Sequence, residues 1–344
     1  MTMDTIKPFF FPTTVGFVDD SETFLANLTL QLDSQLAFRL FNSPSQALKV
    51  LNDSSSSAAQ KCQPLFSTYH DRADGNDAHH VIAMSFEAIG RQVHNARRFD
   101  STSVVVVDYD MPEMNGLEFC RRIENPAVRK IILTGKANEH VAVKSFNEGL
   151  IDRFIRKHDV DAIPALNRAI GEMQNAYFDK VCQTVLDTLT GTEYAFLKDS
   201  QFAARVTEIF RELGIVERYL SYRPNGLLML DGLGAAYLLI VHSDETLRSV
   251  REIAMELGAS VDFLAELDSH RSVPYFWRTD GHYPTDGTAW KSYMHSATVF
   301  QGERRYVYAV VKKPAGFDLD AIFSYEDYLE VLDGGSPAKW GSQL

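Results

Sequence analysis

Four consecutive valines running into an aspartate, Val104–Val107 and Asp108, constrain this chain more than any other stretch. A strand with one wet face alternates apolar and polar residues. An unbroken β-branched run marks a strand covered on both faces, as in the middle of a parallel sheet. Comparable short runs lie at Thr14–Val18, Leu36–Phe41, Lys130–Leu133 and Arg153–Ile155. Between them come segments with helical spacing: Phe24, Leu25, Leu28 and Leu32; Ala47, Leu48 and Leu51; Leu117, Phe119, Cys120 and Ile123; Val141, Val143 and Phe146. Strands alternating with helices predict a doubly wound, five-stranded parallel α/β sheet over residues 1–158.

One stretch exceeds what that unit needs. Asp20 and Asp108 are 88 positions apart, whereas two strand-helix repeats take roughly 40 residues. The excess, about 53–100, reads as an insertion: a polar loop containing NDSSSSAAQ and RADGNDAHH, then an added helix with Ile82, Phe86, Ile89 and Val93 on one side. After His158, residues 159–190 read as one long linker helix. Ile163, Leu166, Ile170, Met173 and Tyr177 fall at a/d spacing, and Val181 and Val185 follow after a four-residue step. The stripe suits either packing on its own domain or a dimer-forming coiled coil. Residues 191–344 read as an α+β domain. Helices are expected at Phe202–Leu213, Glu245–Leu257 and Tyr325–Leu332, apolar strands at Leu227–Leu230 and Ala236–Val241, and a hairpin at Ser296–Phe300 and Arg305–Val311.

Four short motifs sit at the ends of predicted strands: VGFVDD with Asp19 and Asp20, VVVVDYDMPEMNG with Asp108, IILTG with Thr134, and RFIRK with Lys157. In an open α/β sheet the carboxyl ends of the strands line one crevice. Carboxylates gathered there repel one another, and a hard divalent cation with oxygen ligands, Mg²⁺, relieves the repulsion. Asp108 can then attack a phosphoryl donor. The Lys157 ammonium offsets the developing charge, and the Thr134 hydroxyl donates to a phosphoryl oxygen.

In identity, order and strand context these motifs resemble the receiver domains of bacterial two-component response regulators, over about Thr14–His158 without the insertion. The resemblance implies a flavodoxin-like fold that catalyses its own phosphorylation and dephosphorylation, with a sensor histidine kinase as partner. It makes Asp108 the phosphoacceptor. Mg²⁺ would be held by Asp20, Asp108 and the backbone carbonyl of Asp110, with Asp19 on a metal-bound water. Thr134 and Lys157 would be the switch pair, with Phe154 at the aromatic switch position, and Met111, Pro112 and Gly116 would shape the loop after Asp108. Two positions depart from the family pattern: His158 follows Lys157 where proline is usual, and Gly135 follows Thr134 where alanine is usual. A non-proline residue prefers a trans bond. Asp110 and Lys136 are expected to flank the attacking water and to slow hydrolysis by pairing. The layout also resembles the response regulators of α-hydroxyketone quorum sensing, in which a receiver precedes an unusual output domain.

Composition narrows the rest. A net charge of −12 argues against a field that gathers nucleic acid or anionic membrane. No apolar stretch reaches membrane-helix length, no signal peptide is evident, and the odd count of three cysteines (Cys62, Cys120, Cys182) suggests a reducing, cytoplasmic setting. Past residue 191 the signals are weak. Gly232-x-Gly234 lacks the further residues of a phosphate loop, and His242, His282 and His295 match no recurrent metal spacing. The aromatic segment YFWRTDGHYPTDGTAW reads as a surface or binding loop, and the helix at Phe202–Leu213 mixes Arg205 and Arg211 with Glu208 and Glu212, a poor recognition helix. Three outputs stay open: partner binding or homodimerisation through the linker helix or the receiver, a phosphorylation-gated enzyme or nucleotide-binding domain, and a DNA-binding domain of unfamiliar fold.

Overall fold

The computed structural model describes residues 5–53, 66–71, 79–135, 144–189, 191–285, 290–320 and 322–334. The chain divides into two units that each draw on three segments. One unit takes Pro12–Gln63, Arg97–Val181 and Asp327–Leu344; the other takes Met1–Phe11, Pro64–Ala96 and Cys182–Glu326. Linear boundaries at 158 and 190 do not describe this division. Part of the insertion and the first residues go with the C-terminal unit, and the last residues go with the first unit.

The first unit holds the parallel sheet. Numbering elements along the whole chain, β1 is Phe9–Phe10, β2 Thr14–Val18, α1 Glu22–Thr29, β3 Phe38–Phe41, α2 Pro44–Leu51, β4 Phe66–Asp71, β5 His79–Met84, α3 Phe86–Arg91, β6 Thr102–Asp108, α4 Gly116–Arg121, β7 Arg129–Thr134, β8 Arg153–Arg156 and α5 Ala162–Thr188. The sheet order is β3-β2-β6-β7-β8, all parallel. That is the flavodoxin-like order, with its switch point between β2 and β6. The valine run explains the layering. Val104 and Val106 are buried against Leu25 and Leu28 of α1 and Leu166, Ala169 and Ile170 of α5. Val105 and Val107 are buried against Ala47 and Leu48 of α2 and Leu117, Phe119 and Cys120 of α4. Successive residues of one strand thus serve opposite helical layers.

The stripe on α5 is consumed inside the chain. Leu166, Ile170 and Tyr177 are buried, and so are Cys182, Val185 and Leu189 further along. Ile163, Met173 and Val181 of the same stripe are half-buried. Phe146, expected on a buried stripe, is 56% exposed; its predicted companions Val141 and Val143 lie outside the described residues, as do Lys136 and Cys62. In the insertion, Ile82 lies on β5, which pairs antiparallel with β4, and not on a helix. The helix starts only after Ser85, whose Oγ accepts the Ala88 amide, and buries Ile89. The loop stretches 54–65 and 72–78 lie outside the described residues.

The second unit is built on an antiparallel sheet. Its elements are α6 Ser200–Glu212, β9 Ile215–Tyr222, β10 Asn225–Asp231, β11 Ala236–Ser243, α7 Asp244–Glu256, α8 Val261–Asp268, β12 Ser272–Pro274, β13 Met294–Ser296, β14 Thr298–Gln301 and β15 Arg305–Lys312; the last helix, α9 Tyr325–Leu332, falls mostly in the first unit. The main sheet runs β1-β9-β10-β11-β15-β14. Alternation along β15 assigns its two faces. Tyr306 and Tyr308 meet Phe202 of α6. Val307 and Ala309 join Leu247 and Ala254 of α7 and Phe263 and Leu267 of α8. The expected helices and the hairpin are present within a few residues; β1, β9, α8, β12 and β13 were not anticipated.

Candidate functional site at the ends of the parallel strands

Asp19 follows β2 and continues its ladder, its amide donating to Phe41 O at 3.1 Å. Ser21 caps α1 by accepting the Phe24 amide, and Asp19 Oδ1 accepts the Ser21 amide at 2.9 Å. The cap is therefore supplied by serine, and the second Asp19 oxygen faces the sheet edge. Asp108 ends β6, on the other side of the switch point. Its Oδ2 accepts the Asp110 amide at 3.0 Å. The following loop turns back so that the Gly116 amide donates to Tyr109 O. A Cβ at Gly116 would sit 2.4 Å from the Asp108 carbonyl oxygen, so only glycine allows this close approach.

Lys157 comes from the far side of the sheet. Its amide donates to Thr134 O at 2.8 Å, joining the ends of β7 and β8. Its ammonium lies 2.5 Å from Asp19 Oδ2 and 2.7 Å from Asp108 Oδ1. The side chains are 15%, 5% and 8% exposed respectively, so this is a nearly dry contact. The Phe24 ring lies beneath, with Nζ 4.1 Å from its centroid, a cation–π contact that sequence reading missed. Burial pushes the Asp108 carboxyl above its ordinary range, and the Lys157 hydrogen bond and charge only partly oppose this. Burial pulls Lys157 down, but the two carboxylates outweigh it and hold the ammonium above its usual value.

Of the predicted residues, Asp19, Asp108 and Lys157 meet directly. Thr134 is buried at the end of β7, and Phe154 on β8 is half-buried against the layer formed by α2 and α4. Asp20 and Asp110 are exposed, and the described residues contain no cluster of three or more metal-ligating side chains. The donor set nonetheless suits a hard cation. Two buried carboxylates at the ends of adjacent strands already share one positive charge, and a third, Asp20, is next to Asp19 in the chain. The two departures from the family pattern face each other: a Cβ at Gly135 would lie 3.4 Å from His158 Nε2. The Lys157–His158 peptide is trans.

In the second unit the Gly232–Gly234 segment is a turn between β10 and β11, fastened by Asp231 Oδ1 accepting the Leu233 and Ala235 amides. The three histidines do not assemble: His242 is buried on β11, His282 is exposed, and the His295 ring lies 6.0 Å from that of Tyr275. Much of the aromatic segment is core, with Tyr275, Phe276 and Tyr283 buried against Phe263. It also walls a cavity, described below.

A parallel sheet in this order, with two acids at its switch point bridged by a lysine from the last strand, is the arrangement of a receiver. The family model of the response regulator receiver domain matches residues 77–166, which include Asp108, Thr134 and Lys157. Its match begins beyond Asp19 and Asp20, on the far side of much of the insertion. The response regulator LqsR of Legionella pneumophila is 37% identical, over 96% of this chain and 97% of that one, at a TM-score of 0.77. An adenylate cyclase of Rhodopirellula baltica (22% identical, 52% of this chain and 98% of that one, TM-score 0.34) and a CheY-like receiver of Methanospirillum hungatei (16% identical, 49% and 98%, TM-score 0.33) are more distant, and no role is drawn from them. No curated protein matches. The chain belongs to the response-regulator family, as a two-component signalling protein with a receiver and a non-standard output unit. Receiver domains are phosphorylated by histidine kinases and in general take Mg²⁺ for that reaction. No described helix is long and apolar enough to cross a membrane.

Proposed function

We propose that Asp108 is the phosphoacceptor and that a sensor histidine kinase is its donor. The observation that carries this is the Lys157 ammonium held between Asp19 and Asp108 at the switch point. An Asp108 oxygen attacks phosphorus, the bond from phosphorus to the donor's imidazole nitrogen breaks, and the imidazole leaves with that electron pair and takes up a proton. Asp108 must be ionised to attack, and Lys157 keeps it so against the desolvation that favours the acid. Lys157 also sits where a phosphoryl oxygen on Asp108 would arrive. Asp19, Asp20 and Asp108, with the Asp110 carbonyl, would hold Mg²⁺, which when bound neutralises the acids and the incoming phosphoryl oxygens. Thr134 then turns toward the phosphoryl group, and Phe154, half-buried one strand away, repacks.

Phosphorylation is read by the second unit in the setting of α-hydroxyketone quorum sensing, the signalling class that the layout resembles. DNA binding through α6 is disfavoured. Arg205 is engaged by Glu208 and by the Tyr308 hydroxyl, and the helix's apolar face packs on the sheet. A small-molecule site in the second unit is the favoured output, because that unit carries a solvent-open cavity of about 390 Å³ with a buried histidine on its wall. Homodimerisation is assigned to the receiver, since most of the α5 stripe is buried. The test is labelling of the full chain with acetyl phosphate and Mg²⁺. Wild type should gain one phosphate by intact mass, and Asp108→Asn none. Equal labelling of the variant would overturn the assignment.

A further inference from the structure

The cavity lies in the second unit between β11, α7 and the segment after β12. Its volume, about 390 Å³, falls in the range of small-molecule sites. The sheet pattern explains how a polar group comes to face it. Leu238 and Ile240 of β11 point into the α7 and α8 layer, and two-residue alternation sends His242 to the same side. His242 is 7% exposed, no protein group among the described residues hydrogen-bonds Nδ1 or Nε2, and both nitrogens are shielded from solvent, so a ligand in the cavity pairs with them once the ring turns toward it. A buried imidazole with both nitrogens unpartnered costs free energy unless something else pairs with it. Val250, Ile253 and Ala254 of α7 and Tyr275 and Phe276 opposite supply apolar walls, while Arg223, Asn225, Asp280 and His282 supply polar ones.

Charge at the rim is closed on itself. Arg223 forms an ion pair with Asp280, across the mouth from which Trp277 is partly exposed. Asp280 holds a left-handed backbone conformation (φ 53°) next to Gly281 (φ 84°), a turn that presents its carboxylate to Arg223. An anionic or cationic ligand would have to break this pair.

We propose that the cavity binds an uncharged small molecule that offers a hydroxyl or carbonyl oxygen to the His242 imidazole and an apolar, ring-bearing body to the aromatic walls. The proposal rests on reading the second unit as a small-molecule output. It does not need the receiver to be phosphorylated, so its test and that of Asp108 fail separately. Burial keeps His242 neutral, with its pKa lowered to about 4. The ring therefore carries one N–H donor and one acceptor at neutral pH, which suits a hydroxyl that both gives and receives.

The test uses equilibrium dialysis of the unphosphorylated full chain against three probes of one shape: 2-naphthol, 2-naphthoate and naphthalene. The naphthol should bind saturably and about tenfold or more tighter than either comparator, the weight of one buried hydrogen bond. His242→Phe should erase the preference of naphthol over naphthalene. Ile253→Trp, at an exposed position on α7 and therefore tolerated by the fold, should weaken all three by narrowing the mouth. Equal binding of naphthol and naphthalene to wild type would show that the ligand oxygen does not pair with His242 and would overturn the proposal. So would tighter binding of the naphthoate, an undiminished preference in His242→Phe, or no saturable binding of any probe.

Discussion

Replacing Lys157 with methionine keeps the length and apolar stem of the side chain but removes the charge. In the wild type the ammonium makes contacts of 2.5 and 2.7 Å with two carboxylates that are 5% and 8% exposed. At an effective dielectric near 20, each contact is worth roughly 6 kcal/mol before desolvation. Desolvation of the lysine offsets much of that, and removal of one partner from a buried ion pair costs about 3–5 kcal/mol. For a unit of this size that corresponds to a fall in Tm of roughly 10 °C. The deficit must also depend on pH, in a stated direction. Asp108 is already raised by burial, and without the ammonium it rises further. A carboxyl whose folded pKa lies above its unfolded value favours the fold when protonated, and that contribution is lost as pH rises through the folded pKa. The gap between wild type and Lys157→Met should therefore be widest near pH 8 and shrink toward about pH 5, as the stranded Asp108 takes up a proton. Differential scanning calorimetry of the receiver transition across that range is the assay. A gap under about 2 °C, or one that does not change with pH, would refute the claim that Lys157 is the buried counter-ion of this pair.

Gly116→Ala should lower receiver stability and slow acetyl phosphate labelling, because its Cβ would meet the Asp108 carbonyl oxygen at 2.4 Å; matched melting and labelling curves would contradict this. Tyr328→Phe removes a hydroxyl that meets Thr14 Oγ1 at 2.8 Å and Asp100 at 3.0 Å, and should cost about 1–3 kcal/mol in urea titrations, because Thr14 is fully buried. His242 gives the opposite pH sign from Asp108. Its pKa is lowered to about 4 in the fold, against about 6.5 unfolded. The unfolded chain thus takes up a proton first as pH falls, and the fold loses on the order of 3 kcal/mol between those values. Wild type should lose stability relative to His242→Phe on acidification through that window, and parallel curves would rule the effect out.

The parallel sheet was readable in the sequence because both of its faces are dry, so β6 needed no alternation to mark it as a strand. The acids and the lysine were readable because each stands at a strand end, where topology leaves few places to go. Their pairing was not. Asp19 and Asp20 are neighbours, and only the Ser21 cap, by drawing Asp19 Oδ1 to a backbone amide, decides that Asp19 turns inward. In the output unit the pattern failed where buried charge broke it. β9, a strand not anticipated from the sequence, carries Glu217 and Arg218, 0% and 5% exposed. Glu217 accepts the Tyr219 hydroxyl at 2.6 Å, and the Arg218 guanidinium lies over the Phe10 and Phe210 rings. Of its two ring partners, Phe10 lies far from it in sequence and Phe210 comes from the preceding helix. The insertion misled for another reason. Ile82, Phe86 and Ile89 keep a helical spacing across a junction where a strand ends and Ser85 caps a helix, so two short elements imitate a longer one. The division into units has the same origin. Spacing reports which face a residue presents, whereas contacts between Met1–Phe11, Pro64–Ala96 and Cys182–Glu326 depend on burial between segments that sequence order keeps apart.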